Sequence, residues 1–347
     1  VLGVGEQRWR EPDGHGVRPR RTLWDLLALL VVPLMLLLLA QHYTGQQDRR
    51  DRGLARQARQ QDLRVAADER RQQALQRYLE QMTGLLLDHH LAATKSRDAP
   101  ARVAAHALTL TVLPQLDGTR KSQVVRFLIE ARLIRSHGRT IVGLRGADLR
   151  GVDLRDASLT GLDFAAADLR GARFDGADLE GVDLRRADLR GASMRRITAN
   201  QTRFSEATAV KASFWGARMG SDVLFEGADL TFADFGRADL FGEDFGGATL
   251  RGASFDHARL GGLIDLRDAC VTDTSFAYTT ASRDRVAYRA DFESASGART
   301  DFTGADLRGF RLVYAPRLID PKLDHANNLP AGWRPHHRTA GDPAPCS

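Results

Sequence analysis

Two cysteines and four lysines among 347 residues are the first scarcities of this sequence. Cys270 and Cys346 lie far apart and in no metal-ligand spacing. A lone pair could form a disulfide, but the spacing reads as two unrelated thiols, one structural and one in a tail. Cys346 is second from the end, which excludes prenylation, a modification that needs cysteine fourth from the end. There is no P-loop, no dinucleotide fingerprint and no HExxH. The ten histidines form no acid–base set with a serine or cysteine nucleophile. His89 and His90 are neighbours, and on a helix they diverge by about 100°, which argues against a shared metal. No catalytic, cofactor or metal site is expected, and therefore no enzyme. Arginine replaces the missing lysine, a bias that follows from GC-rich codon usage and not from chemistry. The chain opens on Val1 instead of Met, as a fragment would, or as a start codon translated literally.

The formal charge of +6 is unevenly divided. Residues 1–140 carry 23 basic and 14 acidic side chains (+9), residues 141–312 carry 23 and 27 (−4), and residues 313–347 carry 4 and 3 (+1). The basic balance belongs to the front third, so it gives no reason to expect nucleic acid on the rest.

Long hydrophobic runs are also missing, with one exception. Leu23–Ala40 holds 18 residues and a single charge, Asp25, at its edge. As a helix it would be about 27 Å long, against roughly 30 Å of hydrocarbon in a bilayer. Trp24 and Tyr43 bracket it as interfacial aromatics would, and Pro33 is tolerable in a membrane helix. The expectation is a single-pass anchor in the cell membrane, with the lipid bilayer contacted through Leu23–Ala40. Arginines flank both ends, so the orientation stays open.

Residues 1–22 form a basic arm before this run. Residues 44–92 read as a juxtamembrane helix, polar in its first half, with Leu75, Tyr78, Leu79, Met82 and Leu86 making one apolar face in its second. Residues 98–136 read as a helical cap, with helices over 101–116 and 119–136 broken at Asp117-Gly118. Val124, Phe127, Leu128, Ala131 and Ile134 give the second of these a core-facing stripe.

From residue 141 to 312 a period of five takes over. It is carried by Leu144, Leu149, Leu154, Leu159, Phe164, Leu169, Phe174, Leu179, Leu184 and Leu189, and again by Leu230, Phe235, Leu240, Phe245, Leu250, Phe255, Leu260, Phe302 and Leu307. Two residues before each centre from Leu144 to Leu189 stands a small or apolar one, from Val142 to Ala187. Period five matches neither the 3.6 of a helix nor the 2.0 of a long strand. It suits a short extended piece followed by a turn, with glycine two after the centre supplying the positive φ of a type II turn. The central residue and the one two before it then point inward, and the other three point out. A fixed period of this kind means one unit stacked many times.

This run resembles the pentapeptide repeat family, whose consensus is A-(D/N)-L-x-x. The resemblance implies a right-handed quadrilateral β-helix with four pentads to each coil, so that the fold class expected is an all-β solenoid preceded by a transmembrane helix and a small α-helical region. The anchor and the helical middle are similar to the front ends of membrane-associated bacterial members. About 34 pentads would give about 8.5 coils and a rod of about 40 Å at the strand spacing. The period slips by one residue between Met219 and Phe225, between Leu260 and Leu266, and again between Phe276 and Phe292. In the last of these Thr279 and Asp284 fall in inward phase. An insertion must bulge or loop, so Arg283, Arg285, Tyr288 and Arg289 are the candidate partner-binding residues. Residues 313–347 are expected to cover the last coil and then fray.

The function expected is a membrane-tethered protein-interaction scaffold with an unknown protein partner. The resemblance also supplies a rival. Some pentapeptide repeat proteins resemble duplex DNA in shape and charge and bind DNA gyrase, which calls for a strongly acidic rod.

Overall fold

The computed structural model of the chain describes residues 23–88, 91, 99–134, 140–281, 289–292, 295–307, 310–311, 317–326 and 334. The chain divides into two compact units, residues 1–69 and 70–347, with the boundary inside the first helix.

Helix α1 runs from Leu23 to Leu87, so the expected anchor and juxtamembrane helix are one element. Among the described residues, no helix is long and apolar enough to cross a membrane. The expected single-pass anchor through Leu23–Ala40, with its lipid contact and cell-membrane localisation, is corrected accordingly. The described apolar side chains of that stretch are Val31–Leu39, all exposed. The all-β expectation is corrected as well, because the fold combines long helix with short parallel strands.

In the second unit, Leu75, Tyr78 and Met82 of α1 are buried in a core shared with α2 (Pro100–Val112), a 3-10 turn (Leu113–Gln115) and α3 (Gly118–Glu130). The Tyr78 hydroxyl lies 2.9 Å from Thr109 Oγ1. Burial pushes the Tyr78 phenol up to about 12, the Thr109 bond only partly opposing it. Asp117 caps α3 by accepting from the Arg120 N–H at 3.0 Å, and Val124 and Leu128 face the core.

From Ile141 onward each pentad is one side of a four-sided coil. Parallel bridges link residue 148 to 168, 153 to 173, 158 to 178 and 163 to 183, so each side pairs with the same side one coil later. The named strands are two or three residues long. On the third side β1 (Thr198–Ala199), β2 (Arg218–Met219), β3 (Asp239–Phe241), β4 (Arg259–Gly261) and β6 (Thr280–Ala281) form one sheet. On the fourth, β5 (Leu263–Asp265), β7 (Arg289–Asp291) and β9 (Phe310–Arg311) form another, and on the first β8 (Ser296–Ala298) pairs with β10 (Arg317–Ile319). The ladder continues past Leu312, since Lys322 bridges Asp301.

At each corner the Leu or Phe carbonyl accepts from the N–H three residues on, as Leu144 does from Ala147 at 3.1 Å. The residue two after the centre has φ between +52° and +86° at corners such as Gly146, Arg196, Gln201 and Gly242. Glycine is therefore favoured at these corners but not required, and each other residue there bears some strain. The extra residue after Met219 is absorbed at one such corner, where Asp222 has φ +64°. Pairing shifts from 20 to 21 residues there, from Arg203 to Leu224.

The interior is solid. Leu144, Leu149, Leu154, Leu159, Phe164, Leu169, Phe174, Leu179, Leu184, Leu189, Leu230, Phe235, Leu240, Phe245, Leu250, Phe255, Leu260, Phe302 and Leu307 are all buried. In the later coils two columns of phenylalanine meet along the axis. Phe214, Phe235, Phe255 and Phe276 stack from the second side with centroids 4.6 to 4.8 Å apart. Phe204, Phe225 and Phe245 stack from the fourth, and the two columns touch edge to face at 5.6 to 5.7 Å. Such pairs contribute about 0.5–1.5 kcal/mol each beyond area burial.

Cys270 sits on the first side and is disulfide-bonded, which corrects the reading of two unrelated thiols.

Candidate protein-docking faces

The four sides differ in chemistry, and the difference follows from which residues occupy the two outward positions of each pentad. On the first side the pentad A-D-L-R-G occupies the first three coils (147–151, 167–171 and 187–191), and each arginine there folds back on its own aspartate. Arg150 reaches Asp148 at 2.6 Å and Asp168 of the next coil at 3.6 Å, and Arg170 reaches Asp168 at 2.6 Å and Asp188 at 3.6 Å. This zipper is half-exposed, where ion pairs add little stability, and it leaves these pentads neutral.

The first coil rests on α3. Lys121, 3% exposed, places Nζ 2.6 Å from Asp148 Oδ1. The Ser122 hydroxyl accepts from the Asp153 N–H at 2.8 Å. Every later coil offers that N–H to the coil before it, as Arg173 does to the Val152 carbonyl, so Ser122 takes the place of a missing strand. Burial alone would raise the Asp148 carboxyl, but hydrogen bonds from Arg150 and Lys121 outweigh it and hold the group well below the usual carboxylate range.

The fourth side carries the acidity. Asp244 bridges Asp265, and Asp265 is in register with Asp291, so three aspartates stand on neighbouring strands about 4.8 Å apart. Glu226 and Asp268 flank them. Glu226, Asp244, Asp265 and Asp268, with Gly227, Gly246, Gly247 and Arg267, line an open depression of about 470 Å³. Arg267 is the one basic residue in that lining. It holds Asp265, Nε lying 2.9 Å from each carboxylate oxygen. Burial would raise Asp265, but this pairing lowers it. Arg185, Arg186 and Arg203 stand on the same side in the earlier coils, so the acidity is confined to the later ones.

Beneath the same side is Glu243, fully buried at an inward position that other coils fill with Val182, Thr202, Val223 or Ile264. Its Oε1 accepts from the Phe241 N–H at 2.7 Å, and its Oε2 has no partner. Burial pushes its carboxyl well above the ordinary glutamate value. The buried threonines at such positions are satisfied, as when Thr202 donates to the Leu179 carbonyl at 2.7 Å. Thr279, inward as its phase implies, donates to the Phe276 carbonyl.

Of the sequence-based partner-binding candidates, Arg283, Arg285 and Tyr288 lie outside the described residues. Arg289 is described only through its backbone in β7. Among the described residues no group of histidine, cysteine and carboxylates is arranged to hold a metal. The acidic strip was missed because its members are 20 to 21 residues apart in sequence. It becomes visible only when each side is read down the coils.

Taken together, these observations define a parallel β-solenoid whose interior is filled by side chains among the described residues. Residues 144–176, 163–198 and 228–276 match, in eight copies, the model of the family described as Pentapeptide repeats. No curated protein matches the chain. Among solved structures it is similar to HetL, a pentapeptide repeat protein involved in heterocyst differentiation regulation from the cyanobacterium Nostoc sp. strain PCC 7120. That likeness has 24% identity over 52% of this chain and 85% of HetL, with a TM-score of 0.28. Full-length QnrB1, a plasmid-mediated fluoroquinolone resistance protein, is 21% identical over 51% of this chain and 85% of its own, with a TM-score of 0.21. A pentapeptide repeat protein from the Arabidopsis thaliana thylakoid lumen is 28% identical over 27% and 64%, with a TM-score of 0.21. TM-scores at this level carry no functional inference.

Proposed function

We propose that this is a regulatory binding protein whose fourth side docks, as a strip of closely spaced anions, onto the basic DNA-binding surface of a topoisomerase of the gyrase class. The observation that carries this reading is the Asp244–Asp265–Asp291 ladder with Glu226 and Asp268 beside it and a single arginine within the depression. Duplex DNA shows such a surface one negative charge per about 1.7 Å of axis. A ladder repeating at the strand spacing on a rigid, filled rod offers a fixed array of the same sign, and a preorganised array loses little entropy on binding. The membrane-tethered scaffold expected earlier is set aside with the membrane span it depended on.

A supercoiling assay tests the reading. The full chain should inhibit gyrase, and Glu226→Lys with Asp268→Lys, both exposed, should abolish inhibition without unfolding the protein. Gyrase activity indifferent to a molar excess of the wild-type chain would end the proposal.

A further inference from the structure

The second side, opposite the acidic strip, departs from the neutral pattern in a different way. Several arginines of the solenoid fold onto carboxylates, and on this side Arg155 does so with Asp153 at 2.6 Å. Here Arg173, Arg195, Arg196 and Arg237 are exposed and form no ion pair among the described residues. Arg195 and Arg237 instead hold their guanidinium carbons 5.1 and 5.8 Å from the centre of the Trp215 ring. They come from the coil before Trp215 and the coil after it. A guanidinium resting on an indole face keeps its N–H fork free for an outside carboxylate.

The indole needs Gly236. A Cβ there would meet Asp234 Oδ1 at 2.9 Å and Trp215 Cδ1 at 3.2 Å, and the φ of Gly236 lies outside the left-handed region, so the carboxylate and the ring together, and not the backbone, call for glycine. Two further rings flank this group. Phe232 and Tyr278 are 55% and 51% exposed and occupy corners with φ +57° and +56°. They lie over Gly252 and Gly304, where a Cβ would come within 2.6 Å of the ring. His257 stacks on Tyr278 with centroids 5.0 Å apart. A bulky side chain in the left-handed region is strained where glycine would not be. An exposed ring recovers little of that strain by burial. Strain, exposure and unpaired arginine therefore converge on one side of the later coils.

We infer that this side binds an extended acidic segment of another protein. Arg195, Arg196 and Arg237 would pair its carboxylates, and Trp215 and the flanking rings would receive its apolar side chains. Tryptophan, tyrosine and arginine are the residues in which binding energy concentrates at protein interfaces. A peptide suits the surface better than a nucleic acid does. Asp175, Asp234 and Asp256 stand among the arginines and would repel an unbroken phosphate backbone, whereas a peptide can place neutral residues opposite them. The inference is independent of the acidic fourth side, and the variants below leave that side untouched.

The test uses the full chain and fluorescein-labelled poly-L-glutamate of about twenty residues, with binding read by anisotropy at moderate salt. Binding should weaken about tenfold or more, as for interface hot spots, in Arg195→Ala/Arg237→Ala and in Trp215→Ala. Arg170→Ala on the first side should leave it unchanged. Thermal unfolding of each variant, with Trp215→Phe as a milder replacement, separates lost binding from lost fold. Equal weakening by Arg170→Ala would overturn the inference, as would full binding by the double arginine variant. So would tighter binding of a twenty-base-pair DNA duplex, or self-association of the chain that disappears in the same variants.

Discussion

The ammonium of Lys121 lies 2.6 Å from a carboxylate oxygen of Asp148, and the lysine is 3% exposed while the aspartate side chain is 16% exposed. This contact fastens the helical cap to the first coil. Lys121→Met should weaken the attachment by about 1–3 kcal/mol, since Arg150 continues to pair with the aspartate. The linkage has a definite sign. The Asp148 carboxyl is lower in the folded than in the unfolded chain, so its contribution is present above the unfolded value and fades as pH falls through the folded one. Acid titration of stability should therefore be shallower in Asp148→Asn than in the wild type, and a parallel pair of curves would refute the assignment.

Glu243 titrates in the opposite sense. Its carboxyl is raised by burial, so the folded chain holds a proton that the unfolded chain releases. Stability is fully present below the unfolded value and is lost as pH rises through the folded one. Glu243→Gln copies the neutral form. It should raise stability at neutral pH, because the unfolded chain then has no proton at this position to release, and flatten the pH profile. Denaturant midpoints measured from mild acid to neutral pH decide this, and a variant that keeps the wild-type slope would show that Glu243 is not its source.

Gly118 opens α3, yet alanine should be harmful there. In an ordinary helix interior the change stabilises by about 1 kcal/mol. Here the new Cβ would overlap the Gly151 carbonyl of the first coil, which is backbone and cannot swing aside. Gly118→Ala should lower the melting temperature and expose the junction to limited proteolysis. A neutral or raised melting temperature would mean that the cap sits further from the coil.

Phase should matter more than the number of residues lost. Removing Gly171–Arg190 takes out one coil and brings Asp168 and Arg170 beside a pentad equivalent to the one deleted. Removing Gly171–Arg173 takes fewer atoms but turns later aspartates and arginines toward the axis, where unpaired charge costs several kcal/mol per site. Thermal unfolding should show a small loss for the long cut and a large one for the short cut.

These cases show what was legible in the sequence and what was not. The spacing of Leu149, Leu154 and Leu159 discloses the interior, because one inward residue per pentad is a local rule. Glu243 also sat in plain view at an inward position, but Leu240 and Phe245 keep the period around it, so nothing marked it as unusual. Trp215, Arg195 and Arg237 could not be joined until the 20-to-21-residue step between coils was known, since cation–π contact is not a feature of sequence distance. The run at Leu23–Ala40 suggested an anchor from its apolar composition, yet no helix among the described residues is long and apolar enough to cross a membrane. Cys270 misled because spacing cannot reveal which cysteines the fold brings together.

The Ser122 hydroxyl on the Asp153 N–H has one more consequence. A solenoid is a stack with two open ends, and each end offers unpaired backbone groups as a template to any passing strand. At the front, α3 occupies that template with a side chain that cannot itself be extended, so addition of another copy there is blocked. The cap thus works as a terminator of polymer growth as well as a foundation, and a chain shorn of its helices would be expected to lengthen into fibres from the end that Ser122 now closes.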